Sequence, residues 1–289
     1  MAAVLRIPFA LRESDQRMVD PTMVDRGRKC GCICPECHAR LVARRGKIKV
    51  PHFAHAAACP GAYETCIHRA AKQIIEDLGF IWLPPSITRV IPSRFQFASC
   101  EPEKSDEQIR PDLTLRSPAG RELAVEILVT HEIGPGKLAE LQRRRLSCVE
   151  YDLSHLPRTI SYETLKSQFA GGKLDARWLY NRKDEEEKQK RKEAIARARQ
   201  EAKWRWVTAR KSRYGVTVYH VDHCPLQKRW YRGHAFAYAD TDCQACDYFC
   251  GTRGNRQVKC GGHASPEARQ RWAEENQLNL RLCSSPQLA

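Results

Sequence analysis

The sequence predicts an α/β fold with a small module rich in cysteine and histidine at each end. Two short apolar runs, 113–115 and 123–129, are followed by a helical stretch at 137–146 and a third apolar run at 147–153. The order strand, strand, helix, strand is typical of an α/β sheet. Cysteine pairs with two intervening residues occur on both sides of this region. We therefore predict four segments: an N-terminal module at 1–62, the α/β core at 63–170, a basic helix at 171–213 and a C-terminal module at 214–289.

The charge of the chain indicates a polyanionic partner. Its 49 Lys/Arg and 34 Asp/Glu residues give a net charge of +15. A basic surface attracts phosphates, so we predict a nucleic acid, DNA in the first place, as the partner. We expect no membrane association, because no apolar run approaches the ~20 residues of a spanning helix and the N-terminus lacks a signal peptide. The sequence gives no prediction of oligomeric state.

The 14 cysteines favour bound zinc over disulfide bonds. Without a secretion signal, closely spaced cysteines with histidines nearby are typical of zinc sites in a reducing cytoplasm. In the N-terminal module Cys34 and Cys37, and His52 and His55, form two such pairs, and the fourteen residues between them suffice for a hairpin. The four side chains can complete a tetrahedral Zn²⁺ site, which we expect to be structural. Free thiols are the alternative, and one or both histidines can be replaced by Cys30, Cys32 or Cys59.

A helix is predicted from Tyr63 to Leu78, where apolar residues recur at helical spacing and Gly79 follows. On its polar side Glu64, His68 and Lys72 are spaced four residues apart. This polar stripe either faces a functional site or is simply solvated.

Two acidic residues, Asp112 and Glu126, interrupt the apolar runs of the predicted sheet. Burying an unpaired carboxylate costs several kcal/mol, so such residues are usually paired, hydrogen-bonded or bound to a metal. Two of them on neighbouring strands indicate a divalent-metal site.

With Pro111 before it, Asp112 and the pair Glu126 and Ile127 resemble the motif of the PD-(D/E)xK nucleases. The resemblance implies a restriction-endonuclease-like core that hydrolyses phosphodiester bonds with Mg²⁺ or Mn²⁺ held by the two carboxylates. The lysine that usually completes this motif is replaced by Leu128. Either the enzyme is inactive or the amine comes from another element.

Four residues outside the motif are candidates for the rest of this site. Lys137, at the start of the helix after the strand, is the first choice for the missing amine, and Lys72 is the second. Glu64 is a candidate for a further carboxylate. His131, just beyond the strand end, either binds phosphate or transfers a proton, or is a solvated loop histidine.

The C-terminal half begins with a basic segment, 182–213, that holds 13 Lys/Arg and 6 Asp/Glu residues. We predict a long helix from Asp184 to Arg210, which either lies on a phosphate backbone or serves as a solvated linker. Trp204 and Trp206 would then point to different helix faces. A second zinc ribbon is predicted after it, with Cys224, Cys243, Cys246 and Cys260 as ligands. Cys250, His220 and His223 compete for the last place.

The chain also resembles the competence CoiA-like family over roughly residues 1–155. The motifs that carry this resemblance are Cys34-x2-Cys37, His52-Phe53-Ala54-His55, Glu64-x3-His68-x3-Lys72, Arg110-Pro111-Asp112 and Val125-Glu126-Ile127. The resemblance implies a zinc-binding N-terminal region followed by a PD-(D/E)xK-type nuclease domain, and a role in processing incoming DNA.

These observations favour a cytoplasmic, metal-dependent DNA nuclease that acts in DNA uptake, recombination or defence against foreign DNA. A rival hypothesis is a non-catalytic zinc-ribbon protein that binds nucleic acid on a degenerate nuclease scaffold. A zinc-bearing adaptor for other proteins would explain the cysteines, but neither the acids in the sheet nor the charge.

Overall fold

The computed structural model describes residues 5–46, 48–55, 59–102, 110–130, 134–157, 159–212 and 214–283. The chain divides into two compact units, Met1–Glu185 and Glu186–Ala289. Within the described ranges, no helix has the length and apolar character needed to cross a membrane. The predicted boundaries at residues 62, 170 and 213 stay predictions.

The first unit begins with two small antiparallel sheets. One has the strand order β1-β6-β5 and the other β3-β2-β4. The strands are β1 (Leu5–Ile7), β2 (Ala10–Arg12), β3 (Met18–Val19), β4 (Cys32–Ile33), β5 (Val42–Arg44) and β6 (His52–His55). Strands β5 and β6 form the hairpin that was expected between the cysteine pair and the histidine pair.

Helix α1 (Ala62–Leu78) confirms the helix predicted at 63–78. Its apolar stripe is buried, as shown by Ile67 and Ile74, both fully inaccessible. The helix ends because Gly79 takes a left-handed conformation, φ 67°, from which its N–H caps the last turn. A two-stranded sheet of β7 (Phe80–Leu83) and β8 (Ser93–Gln96) follows.

A five-stranded sheet forms the centre of the first unit, in the order β13-β12-β11-β10-β9. Strands β11 and β12 are parallel and every other pair is antiparallel. The parallel pair is joined through helix α2, which confirms the predicted order strand, strand, helix, strand. The elements are β9 (Ser99–Pro102), β10 (Leu113–Arg116), β11 (Glu122–Leu128), α2 (Pro135–Arg144), β12 (Cys148–Asp152), α3 (Tyr162–Gly171) and β13 (Asp175–Tyr180).

The two faces of this sheet have different surroundings, because side chains alternate along a strand. Val125 of β11 belongs to the main hydrophobic core, which also contains Ile67 of α1 and Leu165 of α3. Ala124 points the other way and packs with Leu141 of α2 in a smaller core. Glu126 is two residues from Ala124, so its side chain lies on the face covered by α2.

The second unit begins within helix α4 (Arg182–Gln200) and contains two antiparallel sheets, β14-β20-β19 and β15-β16-β18-β17. Their strands are β14 (Lys203–Trp206), β15 (Thr208–Lys211), β16 (Thr217–Asp222), β17 (Arg229–Tyr231), β18 (His234–Tyr238), β19 (Phe249–Arg253) and β20 (Gln257–Cys260). Helix α5 (Pro266–Cys283) follows them.

The helix predicted at 184–210 is wrong beyond residue 200. Residues 203–206 and 208–211 are strands, which pair with β20 and β16 respectively. Tryptophan, valine and threonine at 204–208 favour extended backbone once partner strands are available. Strand β20 lies some fifty residues further along the chain, so charge and helix propensity near residue 204 could not reveal this pairing. Strand β16 follows β15 directly as the second strand of a hairpin.

Candidate metal centres

Four side chains in the N-terminal region meet in a compact cluster suited to a metal ion. The ligand atoms of Cys34, Cys37, His55 and Cys59 all lie within 4.8 Å of one another. Cys37 Sγ is 3.0 Å from His55 Nε2. Three sulfurs and one imidazole nitrogen are a typical ligand set for tetrahedral Zn²⁺. This cluster can therefore bind one zinc ion.

The structure puts Cys59 in the place predicted for His52. His52 and His55 are three residues apart on β6, so they point to opposite faces of the strand. His52 turns away from the cluster, and its Nδ1 lies 2.9 Å from the carbonyl oxygen of Val50. Two other candidates are also engaged elsewhere: Cys30 donates to Leu41 O and Cys32 donates to Cys30 O.

The thiols of this cluster differ in acidity. A backbone hydrogen bond from Ala39 and a second contact from His55 lower the pKa of Cys37 to about 7. Burial raises the pKa of Cys34 and brings that of Cys59 to about 12. Since thiolates are the metal-binding form, bound zinc would have to displace the protons of the buried thiols, and affinity would rise with pH.

The zinc cluster is joined directly to the start of α1. Cys59 O accepts the backbone N–H of Ala62, the first residue of the helix, at 3.1 Å. Glu36, between the two cysteines of the knuckle, accepts a hydrogen bond from Thr65 Oγ1 at 2.5 Å. The cluster therefore helps to position the helix that carries His68 and Lys72.

Asp112 lies at the start of β10 and is held by side chains of α1. Lys72 Nζ is 2.9 Å from its Oδ1 and His68 Nδ1 is 3.5 Å from its Oδ2. The backbone N–H of Ile127 also donates to Oδ2, at 2.9 Å. Burial alone would raise the pKa of Asp112, but His68 and Lys72 together hold it well below its ordinary value. Asp112 is therefore a fixed negative charge beside β11.

Glu126 is buried on the face of the sheet that α2 covers. Lys137 Nζ lies 2.7 Å from each of its carboxylate oxygens, with hydrogen-bond geometry to Oε2. Burial raises the pKa of Glu126 to about 7 in spite of this lysine. Both candidate amines thus reach an acid of the predicted site, Lys137 at Glu126 and Lys72 at Asp112. Leu128 shares the face of Glu126 and carries no charge.

Glu150 is a further buried carboxylate, which the sequence alone did not single out. It lies directly opposite Glu126 on the parallel strand β12, so both side chains share one face of the sheet. Glu150 is 1% exposed, and its Oε1 accepts a hydrogen bond from Arg177 Nε at 2.6 Å. The available signal was an acid within the apolar run around Val149, of the same kind that drew attention to Glu126.

Glu126 and Glu150, the two acids on this face, can each offer a carboxylate oxygen to a divalent cation. The buried Glu126 Oε1 and Glu150 Oε2 accept no hydrogen bond within the part of the chain that the structure describes. Carboxylate oxygens are the ligands that Mg²⁺ and Mn²⁺ prefer. Lys137 offsets the charge of Glu126, and Arg177 offsets that of Glu150.

Two further predicted site residues have different outcomes. The Oε1 of Glu64 lies 4.0 Å from His68 Nε2, so this acid adjoins the histidine that contacts Asp112. His131 lies outside the described residues, and its role stays a prediction.

In the second unit the predicted zinc ligands are neighbours, but more loosely grouped. Burial and, to a smaller extent, the nearby thiols of Cys224, Cys260 and Cys246 raise the pKa of Cys243 to about 12. Among the residues with described positions, only the N-terminal cluster brings at least three ligand atoms within 4.8 Å of one another. The competing His220 packs against the rings of Phe236 and Tyr238, and Cys250 is exposed.

Comparison with known families supports the N-terminal assignment. Residues 20–62 match the family model described as "Competence protein CoiA, N-terminal domain". This range contains all four residues of the zinc cluster, and it confirms the resemblance to the CoiA-like family. The match ends before α1 and the acidic residues. No curated protein and no solved structure matches the chain.

Proposed function

We propose that this protein, whose residues 20–62 belong to the CoiA N-terminal domain family, is a metal-dependent DNA nuclease. The observation that carries the proposal is the pair Asp112 and Glu126. Glu126 is buried on β11, Asp112 is partly buried just before β10, and each has a lysine against it. The family match supports a role connected with competence. Within that role the nuclease would act on incoming DNA, in uptake, recombination or defence.

The topology of the first unit supports a PD-(D/E)xK-type core. Helix α1 precedes an antiparallel meander of β9, β10 and β11, and α2 then leads to the parallel strand β12. Asp112 stands at the start of β10 and Glu126 near the end of β11. The two acids are close neighbours, because Leu113 pairs with Val125 and the backbone N–H of Ile127 donates to Asp112.

The chemistry of hydrolysis would be divided among few residues. Asp112, Glu126 and Glu150 would hold the divalent cation, which when bound activates water and neutralises phosphate charge. Lys137 would stabilise the negative charge that develops on the phosphate oxygens. Lys72, beside Asp112, keeps that carboxylate ionised. The amine that is absent at Leu128 would then come from helix α2.

Zinc would have a structural role in this proposal. One ion is held by Cys34, Cys37, His55 and Cys59, and a second by the four cysteines predicted in the C-terminal module. The mutual interactions of Cys243 with the other three thiols support the second site. Each closed site with four protein ligands contributes binding free energy to folding.

The deciding experiment is a nuclease assay on plasmid and single-stranded DNA, with Mg²⁺ or Mn²⁺ added to protein freed of loosely bound divalent ions. Asp112→Ala and Glu126→Ala should each abolish cleavage. Glu122→Ala is the matched control, since Glu122 lies on the same strand, is exposed and pairs with Arg116. No metal-dependent cleavage by the wild type, or cleavage that survives both substitutions, would refute the proposal.

A non-catalytic nucleic-acid-binding protein is the second candidate. This candidate is favoured by Leu128, which replaces the usual lysine of the motif. It is also favoured by the lysines that neutralise Asp112 and Glu126. In that case Asp112→Ala and Glu126→Ala would bind DNA as the wild type does, and no metal would produce cleavage.

A further inference from the structure

Trp204 and Trp206 lie on the same face of strand β14. Residues two apart would point to different faces of a helix. On a strand they point to the same face, because side chains alternate from one side to the other. Trp204 is 40% exposed and Trp206 is 71% exposed. Two neighbouring indoles are thus presented to solvent by a strand that is paired along its length with β20.

The same face of this sheet carries positive charge. Lys259 stands directly opposite Trp204, and Gln257 stands opposite both Trp206 and Arg253. Residues directly opposite each other in antiparallel strands project to one side, so these side chains share the face of the indoles. The Arg253 guanidinium lies 5.0 Å from the centre of the Trp204 ring. Of the four Lys/Arg residues in β14, β19 and β20, Arg253 and Lys259 lie on this face, and the three strands contain no Asp/Glu.

The opposite face of the sheet is part of the core. Val258, between Gln257 and Lys259 on β20, is 1% exposed and packs with Val221 and Ala239. The hydrophobic stabilisation of this sheet therefore comes from the Val258 side. The indoles of Trp204 and Trp206 are not needed to form the core, and large exposed aromatic groups usually mark a binding surface.

We propose that this face, formed by Trp204, Trp206, Arg253 and Lys259, binds single-stranded nucleic acid. Bases would stack on the two indoles, and the two cations would contact phosphates. Residues two apart on a β-strand are roughly 6.6 Å apart. This spacing leaves room for an extended nucleic-acid strand to place one base against each indole ring. Stacking of this kind tolerates any base, as a nuclease for foreign DNA requires.

Charge complementarity selects a polyanion for this face. Residues 186–289 contain 20 Lys/Arg and 11 Asp/Glu, a net charge of +9. The faces of the bases in a duplex are covered by neighbouring base pairs. Duplex phosphates can therefore contact the two cations, but duplex bases cannot stack on the two indoles. Single strands should therefore bind more tightly than duplex. The inference rests on the proposed function only for the class of ligand, because the binding face contains none of the nuclease residues.

The test is fluorescence anisotropy with a labelled oligothymidylate of about 15 nucleotides, without added divalent metal so that no cleavage occurs. We expect Trp204→Ala and Trp206→Ala each to weaken binding about 10-fold, and Trp→Phe to retain most of the affinity. Trp230→Ala is the matched control, since Trp230 is 58% exposed on β17 of the other sheet. Its affinity should equal that of the wild type.

An oligonucleotide of the same length without bases separates stacking from charge. The double variant Trp204→Ala/Trp206→Ala should bind it as the wild type does, whereas Arg253→Ala/Lys259→Ala should bind it more weakly and with a shallower salt dependence. Unchanged oligothymidylate binding by the tryptophan variants, or equal loss in Trp230→Ala, would overturn the inference. Binding that depends on the indoles in a protein that never cleaves would refute the proposed nuclease and leave this inference standing.

Discussion

Glu126 and Glu150 lie directly opposite each other on the parallel strands β11 and β12, and both are buried. Lys137 pairs with Glu126, and Arg177 pairs with Glu150. Adjacent buried carboxylates repel each other, and the repulsion is relieved when a cation binds between them. Their juxtaposition extends the predicted acid pair to three carboxylates.

The first prediction concerns Glu150. Glu150→Gln keeps the shape and one acceptor for Arg177 but removes the negative charge, so Mn²⁺ affinity should fall by about 10-fold or more. Isothermal titration calorimetry measures this without any need for activity. Glu122→Gln, on the exposed end of β11, should bind Mn²⁺ as the wild type does. Equal affinity in Glu150→Gln would mean that Glu150 only pairs with Arg177.

The two lysines should have separable effects. Lys137→Ala should lower the single-turnover cleavage rate by about 10²-fold or more at saturating Mg²⁺, because it removes the group that stabilises developing charge. Mn²⁺ affinity should not fall, since Glu126 loses a competing cation. Lys72→Ala should lower the cleavage rate much less, because Lys72 contacts Asp112, and His68 still holds the pKa of that carboxyl below its ordinary value. If Lys137→Ala cleaves as fast as the wild type, Lys72 is the better candidate for the catalytic amine.

The N-terminal zinc ligands can be distinguished by a pair of substitutions. Cys59→Ser should lose one zinc ion per chain and unfold at lower temperature, because the cluster anchors the start of α1. His52→Asn should keep its zinc, because His52 lies outside the cluster. Elemental analysis and thermal unfolding measure the two effects. Zinc loss in His52→Asn with full zinc in Cys59→Ser would reverse the assignment.

The second zinc site is tested in the same way. The wild type should contain two zinc ions per chain, and Cys243→Ser should retain one. Cys250→Ser is the control, because Cys250 is exposed and lies outside the proposed ligand set. A single zinc ion in the wild type, unaffected by Cys243→Ser, would restrict zinc to the N-terminal region.

Features that depend on neighbours along the chain could be predicted from the sequence. The periodicity of α1, its end at Gly79 and the order of the central strands all follow from local propensity and spacing. Asp112 and Glu126 could also be identified from the sequence, because each is an acid within or beside an apolar run. An ionisable residue in an apolar run is visible in the sequence, whatever its tertiary partners are.

Partners that are distant in the chain were decided by the tertiary structure. Cys59 rather than His52 completes the zinc cluster, because the alternation of β6 turns His52 away. Glu150 joins Glu126 only through the parallel register of β11 and β12. Trp204 and Trp206 share a face because β20, some fifty residues further on, pairs with them and makes the segment a strand. For Glu150 and for the two tryptophans the deciding interaction is pairing with a strand remote in sequence, which no local window of the sequence contains.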